Sequence, residues 1–269
     1  MKKVFGLLTA VGLMTAPLAQ ASTVTVSGST SVAHVMEVLA ENYQNNTQTS
    51  VEVQSTGSSA GIRAAKDGTS MIGMSSRNVK DNELNSDTKE IVIARDGIAA
   101  AVNNANPVKN LTQEQISKIY RGEIKNWSEV GGEARPIVVV TRENGSGTRG
   151  AFEEIMKLQR TINGHKVTAI SPTAQVGNGN GMIKTIVANN PYAIGYISLG
   201  SVDNSLRAID VNGVEATDAN IATGDYQIAR PFIVLIDKNA PDNANSFIEY
   251  ILSEDGQNIV AEEGYIRIN

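Results

Sequence analysis

The sequence predicts an α/β protein whose strands are joined by right-handed crossovers through helices. Three observations carry this. Short β-branched runs alternate with stretches of helical periodicity along nearly the whole chain. Turns rich in glycine, serine and threonine lead from strand to helix. A length of 269 residues with 41% hydrophobic content suits two domains of ordinary size or one large one.

The elements follow in order. Residues 23–26 alternate and are β-branched, so they form a strand, which runs into Ser27-Gly28-Ser29-Thr30-Ser31. Val32, Val35, Met36 and Leu39 then recur at helical spacing. Val51 and Val53 mark a second strand, followed by Ser55-Thr56-Gly57-Ser58-Ser59 and a short helix over 62–65. A third strand, 71–74, ends at Ser75-Ser76-Arg77. The long apolar run 91–102 is interrupted by Arg95-Asp96-Gly97. A helix over 116–120 has Thr112 as its start signal, with Glu114 and Gln115 behind it.

The second half repeats this grammar. Strand 137–140 ends at Thr141-Arg142-Glu143-Asn144-Gly145-Ser146-Gly147-Thr148, and Phe152, Ile155, Met156 and Leu158 mark the next helix. Residues 167–170, 194–197 and 206–211 read as strands. A helix over 182–187 follows Gly177-Asn178-Gly179-Asn180-Gly181. Strand 233–236, helix 245–252 and a short strand near 265–268 complete the chain.

The N-terminus has the three parts of a secretory leader: Lys2-Lys3, the apolar stretch 4–18, and an Ala19-Gln20-Ala21 cleavage site. The apolar run is short for a membrane span, which needs ~20 residues. A mature chain starting at Ser22, exported to the periplasm, is expected. The net charge of -5 leaves no broad basic footprint for nucleic acid. With no cysteine and only His34 and His165, neither disulfides nor a zinc site are expected, and no cofactor is implied.

The turns carry the chemistry. A helix start offers unpaired N–H groups and the positive end of the macrodipole, which together favour an anion. Four such turns occur: 28–31, 57–59, 145–148 and 178–181. Each could be a plain helix cap, since serine and threonine are common N-caps. Four in one chain, three combining glycine with a hydroxyl residue, point to a shared anion. Arg142, ahead of Gly145-Ser146-Gly147-Thr148, adds fixed charge and a bidentate fork. Arg149 and Arg77 are further cations beside these turns, or exposed surface charges.

Two motifs point elsewhere. Gly145 to Gly150 fits G-x-G-x-x-G, but a dinucleotide site needs an acidic residue after the next strand, and 167–170 leads into Ser171-Pro172-Thr173. Gly57 to Gly61 fits the G-x-S-x-G nucleophile elbow. Its only candidate base, His165, lies in a polar turn and no triad acid stands out.

Several segments together resemble a known family: V-S-G-S-T-S-V, Q-S-T-G-S-S-A-G, I-G-M-S-S-R, T-R-E-N-G-S-G-T-R-G-A-F, Y-A-I-G-Y-I-S, R-P-F-I-V-L and F-I-E-Y-I-L-S-E-D-G-Q. They are similar, in order, to the short form of the phosphate-binding protein of the phosphate ABC transporter, in the type II periplasmic binding protein superfamily. The resemblance implies a two-lobed, venus-flytrap α/β fold with the ligand between the lobes. It implies Thr30, Ser31, Ser58, Arg142, Ser146, Gly147 and Thr148 as ligand contacts. Two positions depart from the family's long form. Ser76 stands where that form has an aspartate, and Asn144 where it has an acidic partner for the arginine. Asp96 is the expected substitute acceptor for the ligand's proton, against the alternative that it pairs with Arg95 or Arg77 or caps a turn.

The expected protein is therefore a non-catalytic receptor that captures inorganic phosphate and hands it to an ABC permease, acting as a monomer. The expected contacts add Ser29, Ser76, Arg77, Asp96 and Arg149 to those above. The expected lobes are 22–95 plus 231–269, and 96–230. Another oxyanion such as sulfate or molybdate, or a secreted serine hydrolase or phosphatase, is the alternative.

Overall fold

A computed structural model of the chain describes residues 23–268. The leader, its cleavage site and the start at Ser22 lie outside the described residues. In chain order the elements are β1 Thr23–Gly28, α1 Thr30–Asn46, β2 Ser50–Ser55, α2 Ser58–Lys66, β3 Ile72–Ser75, β4 Thr88–Val102, β5 Asn110–Leu111, α3 Gln113–Arg121, β6 Val138–Arg142, α4 Gly147–Ile155, β7 Gln159–Ile162, β8 His165–Thr168, β9 Gln175–Gly177, α5 Gly179–Ala188, β10 Ala193–Ser198, β11 Arg207–Ala208, β12 Asp210–Val211, α6 Asp218–Thr223, β13 Ala229–Asp237, α7 Asp242–Leu252 and α8 Glu254–Glu262.

The main sheet runs β2-β1-β3-β13-β4-β10-β6-β9. Strands β2, β1 and β3 are parallel, as are β10, β6 and β9. Between these trios lie β13 and β4, antiparallel to each other and to their outer neighbours. The run broken by Arg95-Asp96-Gly97 is one continuous strand of 15 residues.

Two large apolar cores sit at either end of these central strands. Ile93 and Ala94 of β4 and Phe232 and Val234 of β13 join Met36, Leu39, Phe247 and Ile251 in the first. Ile98, Ala100 and Val102 of β4 join Ile116, Tyr120, Phe152 and Tyr196 in the second. There the Phe152 and Tyr196 rings stack at 4.0 Å. Helix α2 covers the opposite face of the first trio through Ile62 and Ala65, and α5 that of the second through Ile183 and Val187. Parallel strands buried on both faces in this way read as apolar runs in sequence.

The structure departs from the sequence expectation at several places. The helix after Arg142 stops at Ile155, and Lys157 takes a left-handed conformation (φ 53°). Residues 159–162 then pair with 165–168 as an antiparallel hairpin, so the expected strand at 167–170 belongs to a satellite ribbon. Helix α8 was not expected, and the terminal strand near 265–268 reduces to a single bridge between Arg95 and Ile266. The expected strand 206–211 divides into β11 and β12, which pair with different partners.

Candidate anion-binding site

Strands β1, β2, β3 and β6 end at one place, and α1, α2 and α4 begin there. Gly28 closes β1 with φ 143°, and a Cβ on it would lie 2.2 Å from the Met74 carbonyl oxygen. Only glycine lets β1 press against β3 while turning into α1. Ser29 caps α1: its Oγ accepts from the amides of Ser31 (3.2 Å) and Val32 (3.3 Å). That hydroxyl donates to Ser76 Oγ at 2.8 Å. Ser58, the first residue of α2, accepts from the Ser76 amide at 3.1 Å and lies 3.4 Å from Ser76 Oγ. On the other side of the cleft, Ser146 caps α4 by accepting from the Arg149 amide at 3.2 Å.

The two sides touch. Ser31 Oγ and Thr148 Oγ1 lie 2.9 Å apart. Arg142 Nη2 donates to Thr30 Oγ1 at 2.9 Å, and the Ser59 amide to the Gly145 carbonyl at 3.1 Å. Asn180 Nδ2 donates to Ser31 Oγ at 3.1 Å. Ser29, Ser31, Ser58, Ser76, Arg142, Ser146 and Thr148 are all buried. The structure thus brings Ser29, Thr30, Ser31, Ser58, Ser76, Arg142, Ser146, Gly147 and Thr148 into one cluster.

Each arginine around this cluster has its own carboxylate. Arg142 makes a fork to Glu143, Nε to Oε2 and Nη2 to Oε1, both 2.8 Å, and gives Nη1 to Asn180 Oδ1 at 2.8 Å. Burial opposes ionisation of Glu143, but hydrogen bonds from Arg142 and the Gly179 amide, with the arginine's charge, outweigh it and hold the carboxyl below the ordinary glutamate range. Arg77 forks to Glu83 at 2.7 Å and also donates to Ser59 Oγ at 3.1 Å. Arg149 pairs with Glu153 at 2.8 Å and donates to the Arg142 carbonyl at 2.9 Å. Arg77 and Arg149 therefore brace the turns from behind.

Asp96 requires a correction. It joins neither the hydroxyl cluster nor Arg95 or Arg77. Its Oδ2 accepts from Arg230 Nη2 and Ser198 Oγ, both at 2.8 Å, with no exposed surface. Directly opposite each other on β4 and β13, Asp96 and Arg230 form a buried pair between the two cores. Burial pushes the Asp96 carboxyl up despite Arg230, and lowers the Arg230 guanidinium.

Two further expectations change. The arginine keeps an acidic partner, Glu143, although Asn144 does not supply it. The fourth turn is already engaged, since the Gly179 amide donates to Glu143 Oε2 at 3.2 Å. Sequence reasoning missed Glu143 because consecutive strand residues face opposite ways; β6 ends at Arg142, which frees Glu143 to fold back. It missed Asn180, whose place in the first turn of α5 was the available signal.

Helix starts, hydroxyls and one buried arginine, enclosed where two α/β lobes meet, define a two-lobed solute-binding protein for a small oxyanion. A family model described as a PBP superfamily domain matches residues 15–255. The phosphate-binding protein PstS of Bacillus subtilis is 32% identical over 91% of this chain and 80% of its own length. That of Borreliella burgdorferi is 30% identical over 91% and 90%. Among solved structures, a phosphate ABC transporter substrate-binding protein with bound phosphate from Clostridium perfringens shares 46% identity. The match has a TM-score of 0.87 and covers 92% of this chain and all of that one. An ABC-type phosphate transport receptor from Vibrio cholerae shares 46% identity with a TM-score of 0.76, covering 90% and 99%. The chain belongs to the family of phosphate-binding proteins of the phosphate ABC transporter.

Proposed function

We propose that this protein captures inorganic phosphate between its lobes and delivers it to the membrane permease of an ABC transporter. The convergence of the α1, α2 and α4 starts with Arg142 on one cluster of hydroxyls carries the reading. Ser29, Thr30, Ser31, Ser58, Ser76, Arg142, Ser146, Gly147 and Thr148 hold the anion, with Arg77 and Arg149 as braces. The lobes are 22–95 plus 231–269, and 96–230, with β4 and β13 as the hinge. The protein is exported through cleavage after Ala21 and works as a monomer; no described helix is long and apolar enough to cross a membrane.

Closure follows from electrostatics. Three helix starts of like sign approach one another when the lobes close. A dianion placed between them turns that repulsion into attraction and loses its water to fixed donors. Release requires breaking the cross-lobe hydrogen bonds at Thr30, Ser31 and Ser59. No turnover belongs to this scheme. Ser59 Oγ accepts from Arg77, and His165 is exposed on the satellite hairpin.

Calorimetric titration with phosphate tests the proposal. Arg142→Ala should weaken binding more than about tenfold, because an enclosed anion then loses the buried cation beside it. A loss under about threefold would place the anion away from Arg142.

A further inference from the structure

We infer that Asn144-Gly145, in the turn that leads into α4 at the anion cleft, is a site of spontaneous modification: Asn144 deamidates to isoaspartate, and the altered turn no longer captures phosphate. The consequence for capture rests on the reading of this cleft as the anion site; the modification does not.

The chain holds five Asn-Gly pairs, at Asn144, Asn163, Asn178, Asn180 and Asn212. Glycine has no side chain to shield its nitrogen, so this dipeptide is the one most open to attack by that nitrogen on the asparagine amide. The attack needs an unengaged glycine N–H and a side-chain amide able to turn towards it. The structure denies one or the other to three of the pairs. The Gly179 amide donates to Glu143 Oε2 at 3.2 Å, which protects Asn178. The Gly213 amide donates to Asn110 Oδ1 at 2.8 Å, which protects Asn212. Asn180 is buried and its amide is fixed: Oδ1 accepts from Arg142 at 2.8 Å, and Nδ2 donates to Ser31 (3.1 Å) and Ser201 (3.2 Å).

Asn144 and Asn163 have no such protection. Both are exposed, and among the described residues nothing bonds either side chain or the N–H of Gly145 or Gly164. Asn163 lies at the tip of the hairpin β7–β8, which contributes no residue to the cleft. Asn144 lies within the site. Across its turn the Ser146 amide donates to the Glu143 carbonyl at 3.3 Å. The Gly145 carbonyl accepts from the Ser59 amide at 3.1 Å, a bond made across the cleft and lost whenever the lobes part.

The chemistry needs only water, with hydroxide as catalyst. Hydroxide takes the Gly145 amide proton, and the nitrogen attacks Asn144 Cγ. The new C–N bond closes a succinimide ring while the side-chain nitrogen leaves as ammonia. Water then opens the ring. Cleavage at Cγ gives aspartate; cleavage at the main-chain carbonyl gives isoaspartate, with the backbone routed through Cβ and Cγ. The isoaspartate turn is a methylene longer and carries a new carboxylate on Cα. It shifts Gly145 and Ser146 against Ser59 and Glu143, and sets a negative charge beside a site for an anion.

Incubation of the mature protein at mildly alkaline pH, followed by peptide mapping for isoaspartate, tests the modification. Asn144 and Asn163 should convert at least about tenfold faster than Asn178, Asn180 and Asn212. Calorimetric titration of two incubated variants with phosphate tests the consequence. In Asn163→Gln the binding-competent fraction should fall in step with isoaspartate at position 144. In Asn144→Gln it should stay at its fresh value, because the longer side chain closes its ring far more slowly. Asn144 left intact, or conversion spread evenly over the five pairs, would overturn the inference and leave the anion site standing. So would full capture by protein carrying isoaspartate at 144, or an equal loss in both variants. Fresh protein that binds no phosphate would instead overturn the anion-site reading, and the consequence for capture with it.

Discussion

Arg142 and Glu143 are sequence neighbours whose side chains meet only because the strand ends between them. The pair fixes the guanidinium plane and anchors the start of α5 through the Gly179 amide. The folded Glu143 carboxyl lies below its ordinary value of 4.5. Its contribution to stability is therefore complete above that value and is lost as pH falls through the lower folded one. Glu143→Gln should lower the melting midpoint by about 3 °C at neutral pH, for roughly 1 kcal/mol lost. The gap from the unsubstituted protein should close as the pH drops below 4.5. A gap that stays constant down to about pH 3 would show that the ionised pair adds no stability.

At the level of elements, the start of α4 packs onto the start of α2. A Cβ on Gly147 would lie 2.1 Å from Ser58 Oγ and 2.6 Å from Ser76 Oγ, both across the cleft. Gly147→Ala should hold the lobes apart and weaken phosphate binding at least about a hundredfold. The free protein should melt within about 1 °C of its parent, because no contact inside either core is touched. Retained affinity would mean that the two helix starts do not approach this closely when ligand is bound. The junctions of strand with helix were legible in sequence because glycine and short polar residues are favoured there: α1, α2, α4 and α5 start at the four turns picked out. The hairpin at 159–168 was not legible. Leu158 keeps helical spacing and is buried, yet the chain has already left the helix, with Lys157 left-handed. Helix α8 was hidden because Ser253 closes α7 and caps α8 at once, leaving no spacer to announce a second helix. Asp96 was misplaced because an isolated acidic residue in an apolar run does not reveal its partner, and Arg230 lies 134 positions away.

Across the whole molecule, charge is balanced locally. Arg77, Arg142, Arg149 and Arg230 each pair with one carboxylate, in a chain of net charge -5. In the proposed site, attraction for the anion comes mainly from fixed N–H groups at short range, rather than from a field reaching into solvent. Phosphate affinity should change less than about threefold between about 0.05 M and 0.5 M salt. A loss of more than about thirtyfold, measured by titration at constant pH, would require long-range charge instead.

The antiparallel strand β13 sits between β3 and β4, in the middle of the sheet, although it is the last strand of the chain. The second core draws on one nearly unbroken stretch, from Ile98 to Ile228. The first is split, and waits for Phe232, Phe247 and Val260 to reach Val24, Met36 and Leu39. A chain emerging from its N-terminus can therefore assemble the second half while the first remains a parallel trio with an open edge and an uncovered face. The N-terminal residues are the earliest made and among the last secured, held until the final 40 or so residues arrive to close the sheet from within.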